Sequence, residues 1–406
     1  MIPFSPPHIN QEVIDEVVDT LKSGWITTGP KTKLFEKQLS KYCNVESLIC
    51  ISSATFGLEI ILRWFGVTKG DEVIIPAFTY AATANAIIHT GATPVMVDCN
   101  LNDFNINVDA VKNAITSKTK VIMPVDIAGL PNDFTLLNET VKLFNIKKQF
   151  KATSKPQKKL ARILILSDSA HSFGATYKNK ISGNLTDISV FSFHAVKNLT
   201  TSEGGAIALN LPKPFNNKEL YKYLNMLSLH GQNKDAFAKT LKGNWKYDIL
   251  VPGYKGNMTD INASIGLIGL KYYNSKNLPR RREIFSFYQS KFLDKKWAET
   301  PVFIEQNKES SYHLYLLRIK NINEKTRDTI IEDIFNNNVS VNVHFEPLPS
   351  KTAYKFLNYK KSDFPNSYNN YQRLISLPVY QDLTNIQLNE ITEVVISAVE
   401  NNLHNE

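Results

Sequence analysis

The sequence predicts an α/β protein: a mainly parallel sheet domain followed by a smaller α+β unit. Three observations carry that expectation. Short apolar runs rich in β-branched residues alternate with stretches of helical periodicity. Those runs are apolar throughout instead of alternating with polar residues, as strands covered by helices on both faces are. After about residue 265 the alternation gives way to long charged helical stretches and scattered apolar runs.

The first segment reads as a helix, because Val13, Ile14, Val17, Val18 and Leu21 recur at helical spacing and Gly24 ends the pattern. Strand candidates follow at Leu48–Ile51, Val73–Ile75, Pro94–Val97, Val121–Met123, Ile163–Leu166, Ser189–Phe193 and Ala206–Leu209. Between the first two, Leu58, Ile61, Leu62 and Phe65 share one helical face. The later part offers a helical stretch from Lys271 to Phe292 with Arg280, Arg281 and Arg282, then Leu314–Ile319, Val339–Phe345 and a last helix from Leu388 to Asn401. A chain of 406 residues exceeds one typical core. The division expected is a large domain over 1–265 and a small one over 266–406, with no internal repeat.

Hydrophobic residues make up 43% of the chain and charged residues 21%, the balance of a globular protein. No apolar run reaches the ~20 residues of a membrane span, and the N-terminus from Met1 to Pro7 has no basic stretch leading into an apolar one. Cys43, Cys50 and Cys99 are too widely spaced for a disulfide framework or a CxxC zinc site. A cytoplasmic protein with no metal and no membrane partner is expected. The net charge of +9 raises nucleic acid as a partner. Eight cations, however, lie together: Lys142, Lys147, Lys148, Lys151, Lys155, Lys158, Lys159 and Arg162, with no acid among them. Without these the chain carries only +1, so no nucleic-acid partner is expected. The stretch Lys147–Lys159 reads as an inserted surface loop, either simply solvated or a docking surface for an anionic partner.

Ligands of open α/β sheets collect beyond the carboxyl ends of the strands. After Leu48–Ile51 come Ser52, Ser53, Ala54 and Thr55 at the start of a helix, small residues that let backbone N–H groups approach a phosphate. After Ile163–Leu166 come Ser167, Asp168, Ser169, Ala170 and His171; an acid there is equally an ordinary helix cap. After Ser189–Phe191 comes a stretch from Ser192 to Gly205 in which Lys197 stands among small, hydroxyl-bearing and glycine residues. A Schiff-base lysine needs such a partly desolvated setting, so that its amine is neutral near pH 7. Singly, each feature reads as a cap, a turn or a surface charge. Their order, phosphate turn, acid, then lysine, points to one site.

In these stretches the chain resembles the DegT-type sugar aminotransferases, within the fold-type I (aspartate aminotransferase-like) enzymes that use pyridoxal 5'-phosphate (PLP). The resemblance runs from about Phe4 to about Val395. It rests on ordered blocks: Gly24–Lys31 (GWITTGPK), Ser53–Thr55, Pro76–Asn85 (PAFTYAATAN), Gly91–Val95, Asp168–His171 (DSAH), Ser192–Asn198 (SFHAVKN), Gly253–Ile261 (GYKGNMTDI) and Ser376–Pro378.

That resemblance implies a role for each matched residue. Lys197 matches the lysine that carries the cofactor and later moves the proton between cofactor and substrate carbons. Asp168 matches the acid that keeps the pyridine nitrogen protonated, so that the ring accepts electrons. His171 matches a position near the cofactor's phenolic oxygen, and Tyr80 an aromatic stacked on the ring. Ala54, Thr55 and Ser192 match phosphate-binding groups. Lys255 matches a position that reaches the phosphate from a neighbouring subunit, which implies a homodimer with shared active sites. His313 and His344 match stretches near the sugar pocket, and Trp25 is a candidate wall of it; all three also read as packing residues, as does His194. The chain has Ser53-Ala54-Thr55 where the family often has Ser-Gly-Thr. Asp126 stands where many members carry histidine, and would alter substrate choice if it touches the sugar.

The implied reaction is a ping-pong transfer of an amino group from an amino acid, glutamate by family habit, to a keto group of a nucleotide-linked deoxysugar. Relatives that dehydrate instead carry histidine in place of the lysine present here. The blocks around Trp25, Ala54 and Tyr254 look closest to enzymes making UDP-4-amino-4-deoxy-L-arabinose and 4-amino-4,6-dideoxy hexoses. Amination at C4 is therefore expected, with C3 amination of a dTDP-keto-sugar as the alternative, in polysaccharide, lipopolysaccharide or glycan synthesis. A catalytically silent PLP-fold regulator or scaffold would keep the fold and could lose Lys197 or Asp168; both are present.

Overall fold

The computed structural model describes residues 1–234 and 246–403. The seven apolar runs all form strands of one sheet: β1 (Ser47–Ile51), β2 (Glu72–Pro76), β3 (Thr93–Val97), β4 (Thr119–Ile122), β5 (Leu164–Asp168), β6 (Ile188–Ser192) and β7 (Gly205–Leu209). Their order is β1-β7-β6-β5-β4-β2-β3. Four neighbouring pairs, from β6 across to β3, are parallel. β7 runs against the rest, pairing antiparallel with β1 and β6. β1, β5 and β7 are buried end to end, which is why they read as unbroken apolar runs.

Helices cover the sheet, and their ends fix the site. α1 (Gln11–Lys22) precedes α2 (Pro30–Tyr42) in the chain. The N-terminus of α2 is capped from a distance: the Asp260 carboxylate accepts from the N–H groups of Gly29 (2.8 Å), Lys31 (3.0 Å) and Thr32 (2.9 Å). This satisfies donors that have no partner within the helix. α3 (Ala54–Phe65) starts where the Ser53 hydroxyl accepts from Phe56 N–H, and it stops at Gly66, whose φ of +82° favours glycine. Leu58, Ile61, Leu62 and Phe65 are wholly buried on its inner face. Gly205 lets α3 come this close: a Cβ there would lie 2.6 Å from Phe191 O and 2.8 Å from Ala54 N. α4 (Ala81–Ile88) follows β2.

A second hydrophobic cluster, with Ile284, Tyr288, Tyr315, Leu317 and Ile391 among its members, fills the C-terminal part. It forms around an antiparallel sheet of β8 (Ala298–Glu299), β9 (Tyr315–Ile319) and β10 (Leu374–Leu377). α5 (Asp260–Tyr272) spans residue 265, and the N-terminal residue Ile2 forms a bridge with Val339. The helical stretch expected over Lys271–Phe292 is divided. α5 ends at Tyr272, a wide turn covers Tyr273–Asn277, and α6 (Leu278–Phe292) begins with Pro279 in its first turn. Proline lacks an N–H to donate and fits there, while Tyr273 is buried. Val339–Phe345 forms no strand; Val339 and Asn342 make isolated bridges to Ile2 and Ser376, and the residues after them turn into the cavity at the carboxyl edge of the large sheet. The chain ends in α7 (Glu324–Asn336) and α8 (Asn385–Leu403).

The basic stretch is not a loop. It forms two short helices, Phe144–Gln149 and Lys155–Leu160, fastened by buried Ile146 and Gln157. Among the described residues, no helix is long and apolar enough to cross a membrane.

Candidate active site

At the carboxyl ends of the parallel strands lies a cavity of about 440 Å³, lined by Ser53, Tyr80, Asp168, Ser192, Lys197 and His344 among others. The volume suits a small-molecule ligand. Ala54 and Thr55 line it at the N-terminus of α3, where the first N–H groups have no partner within the helix.

Asp168 ends β5 and is almost wholly buried. One carboxylate oxygen accepts from the Thr83 hydroxyl at 2.8 Å, and Thr83 is itself 3.0 Å from the Thr79 hydroxyl. The other accepts from Ala170 N–H at 3.2 Å. Burial pushes this carboxyl above its ordinary pKa; the two hydrogen bonds and the nearby Lys197 charge oppose the shift. Lys197 follows β6. Desolvation brings its ammonium pKa down to about 8, against the pull of the Asp168 carboxylate.

Three imidazoles close around this pair. His171 is buried, its Nδ1 has no hydrogen-bond partner, and its ring stacks on Phe345 at 5.9 Å. His313 lies 4.4 Å from His171, ring to ring, and its Nδ1 is 2.8 Å from Asn198 Oδ1. His344 stacks on Phe4 at 5.5 Å, with Nδ1 3.0 Å from the Ser376 hydroxyl. Burial drives His171 and His313 well below the usual imidazole range and His344 down to about 4, and the Lys197 charge adds to each. All three are neutral at pH 7. Tyr80, 64% exposed, stands at the cavity wall 6.0 Å from Phe345.

These groups fit PLP. An amine of lowered pKa suits its aldehyde carbon, a buried carboxylate its ring nitrogen, an unpartnered imidazole nitrogen its ring oxygen and a helix N-terminus its phosphate.

Two of the residues singled out in the sequence do not line this cavity. Lys255 donates to Asn257 Oδ1 at 2.6 Å, and Asn257 Nδ2 donates to the Thr28 hydroxyl at 2.6 Å. Trp25 Nε1 donates to Thr28 O at 3.2 Å. Both thus belong to one linked cluster outside the cavity of their own chain. Asp126 does not reach the cavity either. It is wholly buried, accepting from Asn132 N–H (3.0 Å), Asn132 Nδ2 (2.8 Å) and Ser172 Oγ (2.6 Å), and burial pushes its carboxyl up to about 6. His194, expected to pack, is instead exposed, with its Nε2 3.6 Å from Glu203.

The sequence reading missed Thr79 and Thr83, one just before α4 and one in its first turn, whose hydroxyls meet only because the chain turns into the helix between them. It also missed Phe4, Asn198 and Phe345. Phe4 meets His344 across the whole chain, and no local signal reports such a pairing.

A lysine of lowered pKa beside a buried carboxylate at the carboxyl edge of this sheet defines a fold-type I PLP enzyme. The chain belongs to the DegT/DnrJ/EryC1/StrS aminotransferase family, whose sequence pattern matches residues 7–148 and 149–396. It is 34% identical over 400 residues to the spore coat polysaccharide biosynthesis protein SpsC of Bacillus subtilis, covering 97% of this chain and 96% of that one. Spr1654 of Streptococcus pneumoniae, named as a putative sugar aminotransferase, superposes in its PMP-form with a TM-score of 0.95 at 45% identity, over 99% of this chain and 100% of that one. Its PLP-form gives 0.93 at 44%, over 99% of each. Helicobacter pylori PseC, an aminotransferase involved in the biosynthesis of pseudoaminic acid, gives 0.86 at 26%, over 98% and 99%. The protein is a PLP-dependent sugar aminotransferase.

Proposed function

We propose that this enzyme moves an amino group from an amino acid, glutamate by the family resemblance, to the C4 keto group of a nucleotide-linked deoxysugar. The observation that carries the reading is Lys197, desolvated to a pKa of about 8 beside the buried Asp168. An amine poised there is part neutral at pH 7 and can both accept and return a proton. Bound PLP supplies a ring that accepts the electrons of the substrate carbanion. Lys197 would hold its aldehyde carbon, Asp168 its ring nitrogen, His171 its phenolic oxygen, Tyr80 its ring face, and Ala54, Thr55 and Ser192 its phosphate. Lys197 then withdraws the proton from the amino-acid carbon and delivers one to the sugar carbon, from the face on which it stands. His313 and His344, neutral and anchored by Asn198 and Ser376, are placed to give or accept hydrogen bonds to sugar hydroxyls without adding positive charge beside Lys197.

The site is completed by a second copy of the chain. Lys255 and Trp25, tied together through Asn257 and Thr28, lie outside their own cavity, and the exposed apolar side chains Ile26, Ile249 and Leu250 are close to them in sequence. In a homodimer this cluster would bring Lys255 to the partner's cofactor phosphate and Trp25 to the wall of its sugar pocket. Three free, buried cysteines agree with a reducing, cytoplasmic setting. The names of SpsC and PseC, which place those proteins in polysaccharide and pseudoaminic acid biosynthesis, support an amino sugar destined for a glycan.

The test is an absorption spectrum of the purified protein with PLP, before and after glutamate, for wild type and Lys197→Ala. Wild type should show the band of lysine-bound cofactor and convert it with glutamate; the variant should never form that band. The converted enzyme is then offered UDP- and dTDP-keto-sugars, and the aminated carbon is read by NMR. Amination at C3 would replace the C4 assignment. A wild type that never binds PLP covalently would sink the whole reading and leave the silent scaffold.

A further inference from the structure

The second helix of the basic segment is fastened to the end of α3 that points away from the cavity, and the first is buried through Ile146 in a cluster with Ile122, Phe134 and Ile165. Ser154 Oγ and Gln157 Nε2 both donate to Phe65 O, at 2.6 and 3.0 Å. The 12 residues of α3 put that end about 18 Å from Ala54 at the cavity. Seven lysines of the segment, Lys142, Lys147, Lys148, Lys151, Lys155, Lys158 and Lys159, are exposed. None has an ion-pair partner among the described residues, and no acid occurs between Glu139 and Asp168. The segment's one arginine is spent inside, where Arg162 holds Asp187 by two bonds of 2.7 Å. Beside the lysines stand bulky apolar side chains in water: Phe144 is 82% exposed, Leu143 45% and Leu136 44%.

We propose that this face docks the enzyme on the surface of an anionic lipid bilayer. Unpaired lysines answer a diffuse field of negative charge such as an anionic leaflet presents. Bidentate recognition of base edges and phosphates favours the arginine fork over lysine, and the segment exposes no arginine. Phe144 and Leu143 add apolar contact at the headgroup level, and binding at a bilayer surface grows with buried apolar area together with electrostatic attraction to anionic lipids. Docking by this face leaves the cavity, at the opposite edge of the sheet, clear of the bilayer. It revises the expectation that the chain has no membrane partner, and it does not depend on which sugar is aminated.

The full-length enzyme loaded with PLP is sedimented with vesicles of phosphatidylcholine alone and of phosphatidylcholine mixed with phosphatidylglycerol. Binding to the mixed vesicles only, lost as salt rises, is expected. Combining Lys147→Glu, Lys148→Glu and Lys151→Glu should weaken it about tenfold or more. Phe144→Ser should cause a smaller loss that leaves the salt dependence unchanged. Turnover by these surface variants reports that they are folded. No binding to the mixed vesicles, binding indifferent to the charge reversal, or tighter binding to duplex DNA than to the vesicles would each overturn the proposal.

Discussion

At the carboxyl edge of the large sheet Lys197 sits desolvated, its ammonium brought down to about pKa 8 and ringed by neutral imidazoles. On the basic segment, whose second helix is tied to the opposite end of α3, seven lysines between Lys142 and Lys159 stand in water without an ion-pair partner among the described residues. The same side chain is thus a proton carrier at one end and a source of positive field at the other. Burial decides between them. Desolvation penalises the charged form, and only a carboxylate as close as Asp168 offsets part of that penalty. The cavity accordingly keeps positive charge low around its one working amine, while the far end collects charge and leaves it unpaired.

The comparison breaks most visibly at Asp168. Asp168→Asn keeps the shape and can still accept from Thr83, but it removes the one buried negative charge beside Lys197. Bound PLP would lose the carboxylate that keeps its ring nitrogen protonated, and removal of one such electrostatic partner costs roughly 10²- to 10³-fold in kcat. The cofactor-free protein should shift the other way. Burial disfavours the Asp168 carboxylate, so a neutral side chain should raise the thermal midpoint. A variant that loses both activity and stability would mean that Asp168 is a fold determinant first.

A smaller effect sharpens the same point. Thr83→Val preserves volume and deletes the hydroxyl that donates to Asp168. One hydrogen bond to a charged group contributes about 1.5–3 kcal/mol, so turnover should drop by roughly 10- to 10²-fold, with KM for the amino acid nearly unchanged. Thr79→Val, one step further out, should matter less. If Thr83→Val behaves as wild type, the carboxylate is positioned by Ala170 N–H and the strand end alone.

Much of this arrangement was legible because it is local. Ala54, Thr55, Asp168, Ser192 and Lys197 each follow an unbroken apolar strand, so a rule about strand ends collects them into one cavity. The strands were readable because burial on both faces removes polar residues. The rest depends on contacts between distant segments. Phe4, Asn198, His344 and Phe345 meet through the packing of the C-terminal part onto the large sheet, and neither periodicity nor spacing encodes that meeting. The basic helices escaped for a related reason: at six residues each they have no amphipathic period to read, and they are held by Ile146 and by Gln157 reaching Phe65 O. Asp126 shows the converse case: a departure from the family pattern left substrate contact open, and the side chain instead ties Asn132 to Ser172.

The smallest effect tests whether the cavity end rejects positive charge even without cofactor. Folded, His344 has its imidazole pushed down to about 4; unfolded, it takes a proton near 6.5. Between those values the unfolded chain binds the extra proton, so stability falls as pH falls, by about 1.4 kcal/mol per pH unit from this residue. His171 and His313 act in the same direction. Asp126, pushed up to about 6, acts in the opposite one, because the folded state keeps its proton where the unfolded state has lost it. The wild-type slope therefore mixes several groups, and the difference between wild type and His344→Asn isolates one. In denaturant unfolding of the PLP-free protein at pH 7 and pH 5, wild type should lose about 2 kcal/mol more than the variant. Equal losses would show that His344 accepts its proton in the folded state, and that the cavity end tolerates the charge which the lysine-rich end displays.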